Sequence, residues 1–570
     1  MNTEKELTGY PSIDKPWLKY YPDSLADKPL PQKSLYKYIY EANKDHKTNY
    51  AFNYFGKRIT YGQLFYEIDR CAKALLRLGV KAGDIVTIMG LASPETFYCA
   101  YACSKIGAVI NLISVLAGEQ ELVHYLNEAK SKVFIALDLF NDKIIKALPQ
   151  TSVKTVVNLS LDTSMPLHIR TVYKLKAKVL KCKGFMPWKA FVALAEGQPP
   201  VRVFKYMPNR FSYLAHTGGT TGNPKGVMLC DDKINGIVEE DIHNFHYKRQ
   251  LRFLNTIPPF YSYGFICNAH ILLSQGFEIF LLPKVDTNKI PQIIIKERIN
   301  VICSAPQFLV KLQNNSLLKK TDMSFLINLA CGGDGLTPEM EKRINYSVYP
   351  NKIISGYGLT EICAMACGNI KKIVPGSVGQ PLSRNVVSIF DTIKCKELSY
   401  NQIGEICFLS PYKMLGYYKN INETNNVFRM HDDGNTWFHT GDLGYMTEDG
   451  VLFITGRIKR ILLTIYNGLG HKIFPDNIEI VLNKHYAVEK SCIVKQHNNT
   501  TNIKLTAYIV LKEQSFNSTG KIEKQLRELC KSDLPEYSLP SKYVFIDSMP
   551  LTAAGKVDFR TLEKMAETNT

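Results

Sequence analysis

The run Tyr213-Leu214-Ala215-His216-Thr217-Gly218-Gly219-Thr220-Thr221-Gly222-Asn223-Pro224-Lys225-Gly226 follows a short apolar stretch and carries the residue types that wrap a polyanion. Glycines let the backbone turn through positive φ and approach a phosphate closely. Threonine hydroxyls and exposed N–H groups donate hydrogen bonds, and a lysine adds a point charge. The spacing is not GxxxxGK[ST], because no hydroxyl follows Lys225 and Pro224 cannot sit inside the helix that such a loop opens. A kinase or GTPase of that type is disfavoured. Taken alone, the run also reads as an ordinary glycine-punctuated surface loop.

Other segments narrow the choice. Cys331-Gly332-Gly333-Asp334-Gly335-Leu336 ends one strand-like run, and Gly356-Tyr357-Gly358-Leu359-Thr360-Glu361 follows another. Trp437-Phe438-His439-Thr440-Gly441-Asp442-Leu443-Gly444, Thr455-Gly456-Arg457-Ile458-Lys459 and Met549-Pro550-Leu551-Thr552-Ala553-Ala554-Gly555-Lys556-Val557-Asp558 come later. An aromatic face suits a base, a carboxylate suits a hard cation, and a carboxylate can accept two hydrogen bonds from a vicinal diol.

In this order the segments resemble the motifs of the adenylate-forming superfamily, which includes acyl-CoA synthetases, peptide-synthetase adenylation domains and luciferases. The resemblance covers the chain from about Thr60 to its end. It implies that residues 217–222 and Lys225 cradle the triphosphate, so that Thr217, Gly218, Gly219, Thr220, Thr221 and Gly222 all bind nucleotide. It further implies that Gly333, Asp334 and Gly335 face adenine, that Tyr357 and Gly358 hold the base, and that Thr360 meets phosphate. Glu361 would hold magnesium, Asp442 the ribose, and Arg457 the nucleotide. Lys459 would be the hinge, and Lys556 the catalytic lysine between the acid and the α-phosphate, acting with Thr217 and Glu361. His439 is given no such role and is read as structural.

The chemistry explains the need for such groups. A carboxylate is an anion with no usable leaving group, so it does not react with a thiol at neutral pH. ATP converts it to an acyl-adenylate, from which AMP can leave. The protein must neutralise the triphosphate and place the acid oxygen in line with the α-phosphorus. The implied activity is an AMP-forming acid–thiol ligase using ATP, Mg2+ and coenzyme A, with a medium- or long-chain fatty acid as the favoured acid. The alternative is a freestanding adenylation enzyme that loads an acyl or aryl acid onto a carrier-protein phosphopantetheine.

Two departures bear on substrate and acceptor. In Pro258-Pro259-Phe260-Tyr261-Ser262-Tyr263-Gly264-Phe265, similar to the acyl-pocket motif, Tyr261 stands where histidine is usual. Tyr261 and Gly264 are the pocket candidates. The connection at residues 461–469 is longer than usual before Gly470, which would border the thiol channel.

Elements must hold these groups. Residues 61–78 place Leu64, Ile68, Cys71, Ala72, Leu75 and Leu76 on one helical stripe, stopped by Gly79. A strand at 84–89, a helix from Ser93 to Ile106 and a strand at 108–112 make a βαβ unit. Apolar runs at 132–136, 155–159, 301–304 and 325–330 continue an α/β pattern. Beyond residues 456–460, strands at 489–495 and 504–511 and a helix at 522–530 form a smaller α+β unit. The expected division is a large multi-subdomain adenylation domain at 1–458 and a mobile domain at 459–570.

The composition is that of a soluble globular protein of two or more domains, with 570 residues, 45% hydrophobic and 21% charged. No secretory signal follows Met1, and the apolar run 265–283 holds Asn268, His270, Gln275 and Glu278, too many polar groups for a membrane span. A cytoplasmic location is expected, with the scattered cysteines as reduced thiols. The net charge of +18 is read as a field for anionic substrates rather than a nucleic-acid interface. The lysine-rich stretch at 165–188 reads either as a membrane-surface helix or as a solvated connector, and the connector is favoured.

Overall fold

The computed structural model describes residues 6–21, 25–176, 182–217, 225–313, 315–333, 336, 340–342, 344, 353–460, 462–466, 469–496, 503–512, 519–551 and 557–568. Helix Tyr61–Arg77 starts where its sequence says it should. The Thr60 hydroxyl accepts from the Gln63 amide at 3.2 Å and the Gln63 side chain accepts from the Thr60 amide at 2.9 Å, a reciprocal cap. Leu64, Ile68, Cys71, Ala72 and Leu75 are buried. Leu76, placed on the same stripe by spacing, is 45% exposed because it falls one residue round the helix from Leu75.

Helix Pro94–Ile106 joins the parallel strands Ile85–Met89 and Val109–Leu112 and is buried on every side. It ends at Gly107, whose φ of +80° is the left-handed stop that glycine adopts without strain. This unit lies in an eight-stranded sheet ordered Gly416–Tyr417, Lys225–Cys230, Phe211–Thr217, Val109–Leu112, Ile85–Met89, Val133–Leu137, Thr155–Leu159, Met186–Pro187. A nine-stranded sheet has the parallel strands Arg252–Asn255, Val301–Ser304, Asn328–Cys331 and Ile354–Tyr357 adjacent at its middle. The run expected to be a strand from Phe325 pairs only from Asn328.

One apolar core spans both sheets, containing Ile88 and Ile110 of the first and Phe52 and Ile279 of the second. A third, antiparallel sheet is built on the long strand Thr436–Met446, flanked by Gly404–Leu409 and Leu452–Arg457. Beyond it, strands Val488–Lys495, Leu505–Leu511 and Lys542–Phe545 pack with helices Pro475–Asn483, Thr519–Asp533 and Phe559–Thr568 around cores of their own. The α/β class and the large and small units expected from the sequence are both present.

The apolar run 265–283 is interior rather than membranous. Its polar groups meet partners: Asn268 donates to the Cys303 carbonyl at 3.0 Å, His270 meets Asn235 at 2.9 Å, Gln275 donates to Asp241 at 2.7 Å and Arg58 donates to Glu278 at 2.7 Å. Among the described residues no helix is long and apolar enough to cross a membrane. The described part of the lysine-rich stretch includes helix Leu167–Lys176, where Arg170 and Lys174 both pair with Asp162. All fourteen cysteines are thiols.

Candidate active site

Thr217 and Lys225 face each other across antiparallel strands, so the residues that flank 218–224 are held in register. Gly218, Gly219, Thr220, Thr221 and Gly222 lie outside the described residues. The Lys225 ammonium is ion-paired with Glu423 and sits 4.8 Å from the centre of the Tyr417 ring. The Tyr417 hydroxyl in turn donates to Glu361 at 2.8 Å. Burial and the charges of Glu361 and Glu423 push this phenol up, so it remains a donor.

Glu361 lies in the turn Thr360–Ile362, directly after strand Ile354–Tyr357. Gly358 permits that turn, since a Cβ there would meet the Ala364 carbonyl oxygen at 1.9 Å. The Thr360 hydroxyl bonds to that of Ser262 at 2.8 Å, linking the motif to the segment read as the acyl pocket.

Asp442 is buried, and each of its oxygens has a neighbour. The Tyr357 hydroxyl donates to Oδ2 at 2.6 Å and the Arg457 guanidinium meets Oδ1 at 2.9 Å. Burial and the Asp442 charge raise the Tyr357 phenol, while the same carboxylate holds Arg457 above its ordinary range. Each carboxylate oxygen keeps a second lone pair, so a vicinal diol could still bind there. The two linked groups meet at the end of strand Ile354–Tyr357, which carries Tyr357, and in the turn Thr360–Ile362 that follows it, which carries Glu361.

Gly333 has φ of +87° and lies beside Tyr263, whose hydroxyl is 2.8 Å from the Cys303 sulfur. Asp334 and Gly335 lie outside the described residues. Tyr261 is half-buried against Phe260 at 4.6 Å between ring centres. Gly264 is a packing glycine, because its Cβ position is 2.0 Å from the Pro258 carbonyl oxygen. It lies in the wide helical turn Tyr263–His270, so the ring presented towards the glycine loop is that of Tyr263.

Lys459 sits in the turn Ile458–Arg460. Its neighbour Arg460 pairs with Asp476 and Glu479 of the small unit and lies 4.3 Å from the Phe559 ring. Gly470 belongs to strand Leu469–Ile473, paired with Leu462–Tyr466, so the lengthened connection contains one strand and the start of its partner. Lys556 lies outside the described residues, which bracket it by a bridge between Leu551 and Val557.

Residues 39–418 match the AMP-binding enzyme family and residues 477–556 its C-terminal domain. The chain belongs to the AMP-binding enzyme family. It is 28% identical to a long-chain-fatty-acid–CoA ligase of Bacillus subtilis (strain 168) over 96% of this chain and 97% of that one. It is 24% identical to 4-coumarate–CoA ligase 3 of Arabidopsis thaliana over 88% of this chain and 85% of that one. Its fold is similar to the anthranilate CoA ligase AuaEII solved with anthranoyl-AMP, at TM-score 0.82, 20% identity and 95% and 98% coverage of the two chains. It is likewise similar to ATP-bound MatB of Rhodopseudomonas palustris, at TM-score 0.80, 22% identity and 93% and 98% coverage. The expected superfamily is therefore borne out, and the curated relatives named here are acid–CoA ligases.

In this AMP-binding enzyme the motif reading missed Tyr417, Glu423, Tyr263 and Arg460. Glu423 meets Lys225 across 198 positions of sequence, and Tyr417 meets Glu361 across 56. Only the added edge strand Gly416–Tyr417 brings them in. An aromatic residue six positions before an acid gives no local signal of that kind.

Proposed function

We propose that this chain joins a carboxylic acid to AMP at the expense of ATP, then transfers the acyl group to coenzyme A. The carrying observation is the convergence of Lys225, Tyr357, Glu361, Asp442 and Arg457 from three sheets into two linked sets. In this reading residues 217–222 and Lys225 hold the polyphosphate, and Lys225 exchanges its Glu423 partner for phosphate oxygens. Thr360 meets phosphate, while Tyr357, Gly358 and residues 333–335 hold adenine. Asp442 and Arg457 hold the ribose side.

Glu361 offers the carboxylate oxygen that a hard divalent cation takes, so it fits Mg2+, which when bound would neutralise polyphosphate charge. Lys556 delivers a cation to the acid oxygen and α-phosphate from residues 459–570, the proposed mobile domain, with Lys459 as its pivot.

We assign the acid as a medium- or long-chain fatty acid. This is supported by the extent of the match to the Bacillus subtilis ligase, while the absence of an acidic side chain from Pro258 to Phe265 disfavours an amino acid. The second reading, transfer to a carrier-protein phosphopantetheine, draws on the paired strands around Gly470 beside the expected thiol channel. Thioester formation across a panel of fatty and aryl acids, with coenzyme A or a phosphopantetheinyl carrier, tests both assignments. Turnover fastest with fatty acids and free coenzyme A supports the proposal. Preference for an aryl acid, or for the carrier, overturns the corresponding part.

A further inference from the structure

The strand that carries Asp442 is not regular. Against Gly404–Leu409, Cys407 faces His439 while Glu405 faces Leu443, so residues are pushed out of the ladder between them. Thr440, Gly441 and Asp442 form this bulge, and Gly441 turns it with φ of +73°. The Thr440 hydroxyl donates to the Ile406 carbonyl at 2.7 Å and accepts from the Asp442 amide at 3.0 Å.

The buried Glu405 carboxylate underpins the same bulge. Its Oε1 accepts from the Gly441 amide at 3.0 Å, and its Oε2 accepts from His439 Nδ1 at 2.8 Å. The other His439 nitrogen, Nε2, is 2.8 Å from Nε2 of His431, so the ring is held from both ends. Glu405, Cys407 and His439 also have the donor types and proximity of a metal site. Both Glu405 oxygens are already engaged, however, and burial keeps Cys407 a neutral thiol, which is a poor ligand. A buried carboxylate is costly unless its hydrogen bonds are made, and these two go to Gly441, inside the bulge, and to His439, at its start.

We infer that Glu405 is a positioning residue for the nucleotide: through the Gly441 amide and the His439 ring it fixes the bulge that aims the Asp442 carboxylate at the ribose hydroxyls. This rests on the ribose-binding reading of Asp442. It requires that disturbing Glu405 be felt as a loss of ribose recognition and not only as lost stability.

The test uses the full chain in acid-dependent pyrophosphate exchange, comparing KM and kcat for ATP and 2′-deoxy-ATP. Glu405→Leu removes both acceptors and should raise KM for ATP about tenfold, with a smaller change in kcat. It should also shrink the preference for ATP over the deoxy nucleotide towards none. Glu405→Gln, which keeps an acceptor for the Gly441 amide, should restore most of that preference. If Glu405→Leu does not fold, Thr440→Val loosens the same bulge from its other support and should shrink the preference too. A folded Glu405→Leu protein with the wild-type preference overturns the inference, as does a wild-type preference in Thr440→Val where that variant is needed. Asp442→Ala separates the two levels. If it leaves the preference intact, the ribose reading itself fails; if it abolishes the preference while Glu405→Leu does not, only the positioning role fails.

Discussion

Tyr357 does two things at once in this site, presenting a ring to the proposed adenine position and donating its hydroxyl to Asp442 at 2.6 Å. The two contributions separate by mutation. Tyr357→Phe keeps the ring and loses one charge-assisted hydrogen bond, so KM for ATP should rise about fivefold to tenfold with kcat nearly unchanged. Tyr357→Ala should lose a further comparable factor. Steady-state kinetics on both variants checks this, and equal defects would mean that the ring makes no contribution. At this scale sequence reading was effective where the chemistry is contiguous, as in Gly356 to Glu361. It failed for Tyr417, Glu423 and Glu405, whose partners lie far away in sequence and which bear no local mark of a site.

Elements were legible where capping and periodicity agree, as in Tyr61–Arg77, and less so where pairing decides. The connection after residues 456–460 read as a lengthened loop because Leu462–Tyr466 and Leu469–Ile473 become strands only by pairing with each other. The wide turn Tyr263–His270 has no sequence signature that distinguishes it from an ordinary helix, so Gly264 was read as lining and Tyr263 was not selected.

Helix Pro94–Ile106 also carries a pH-sensitive group. Glu95 is buried near the helix start with the Ser164 hydroxyl donating to it at 2.6 Å, and desolvation pushes its carboxyl up to about 7. Because the folded value lies above the unfolded one, its stabilising contribution is complete in acid and lost as pH rises through about 7. Glu95→Gln should therefore gain thermal stability relative to wild type between about pH 5 and pH 8, by up to the order of 3 kcal/mol. A difference between the two proteins that stays constant with pH would refute this.

At the scale of the whole molecule, the small unit is tied to the turn Ile458–Arg460 by Arg460, through Asp476 and Glu479, directly beside Lys459. The two-unit plan was readable from the order of motifs, whereas this clamp was not, because its acids belong to helix Pro475–Asn483, well beyond the motif. If that unit supplies Lys556 for the first half-reaction and then turns to admit the thiol, Lys556→Ala should slow adenylate formation by about a hundredfold or more. Thioester formation from supplied acyl-adenylate should be much less affected. Equal losses in both half-reactions would count against the rotation.

The central claim is that the acid oxygen attacks the α-phosphorus and leaves with AMP. Carboxylic acid labelled with oxygen-18 in both carboxylate positions, turned over with ATP and coenzyme A, tests it directly by mass analysis of the products. The account predicts one labelled oxygen in each AMP and none in pyrophosphate. Label in inorganic phosphate, with ADP as the nucleotide product, would contradict it.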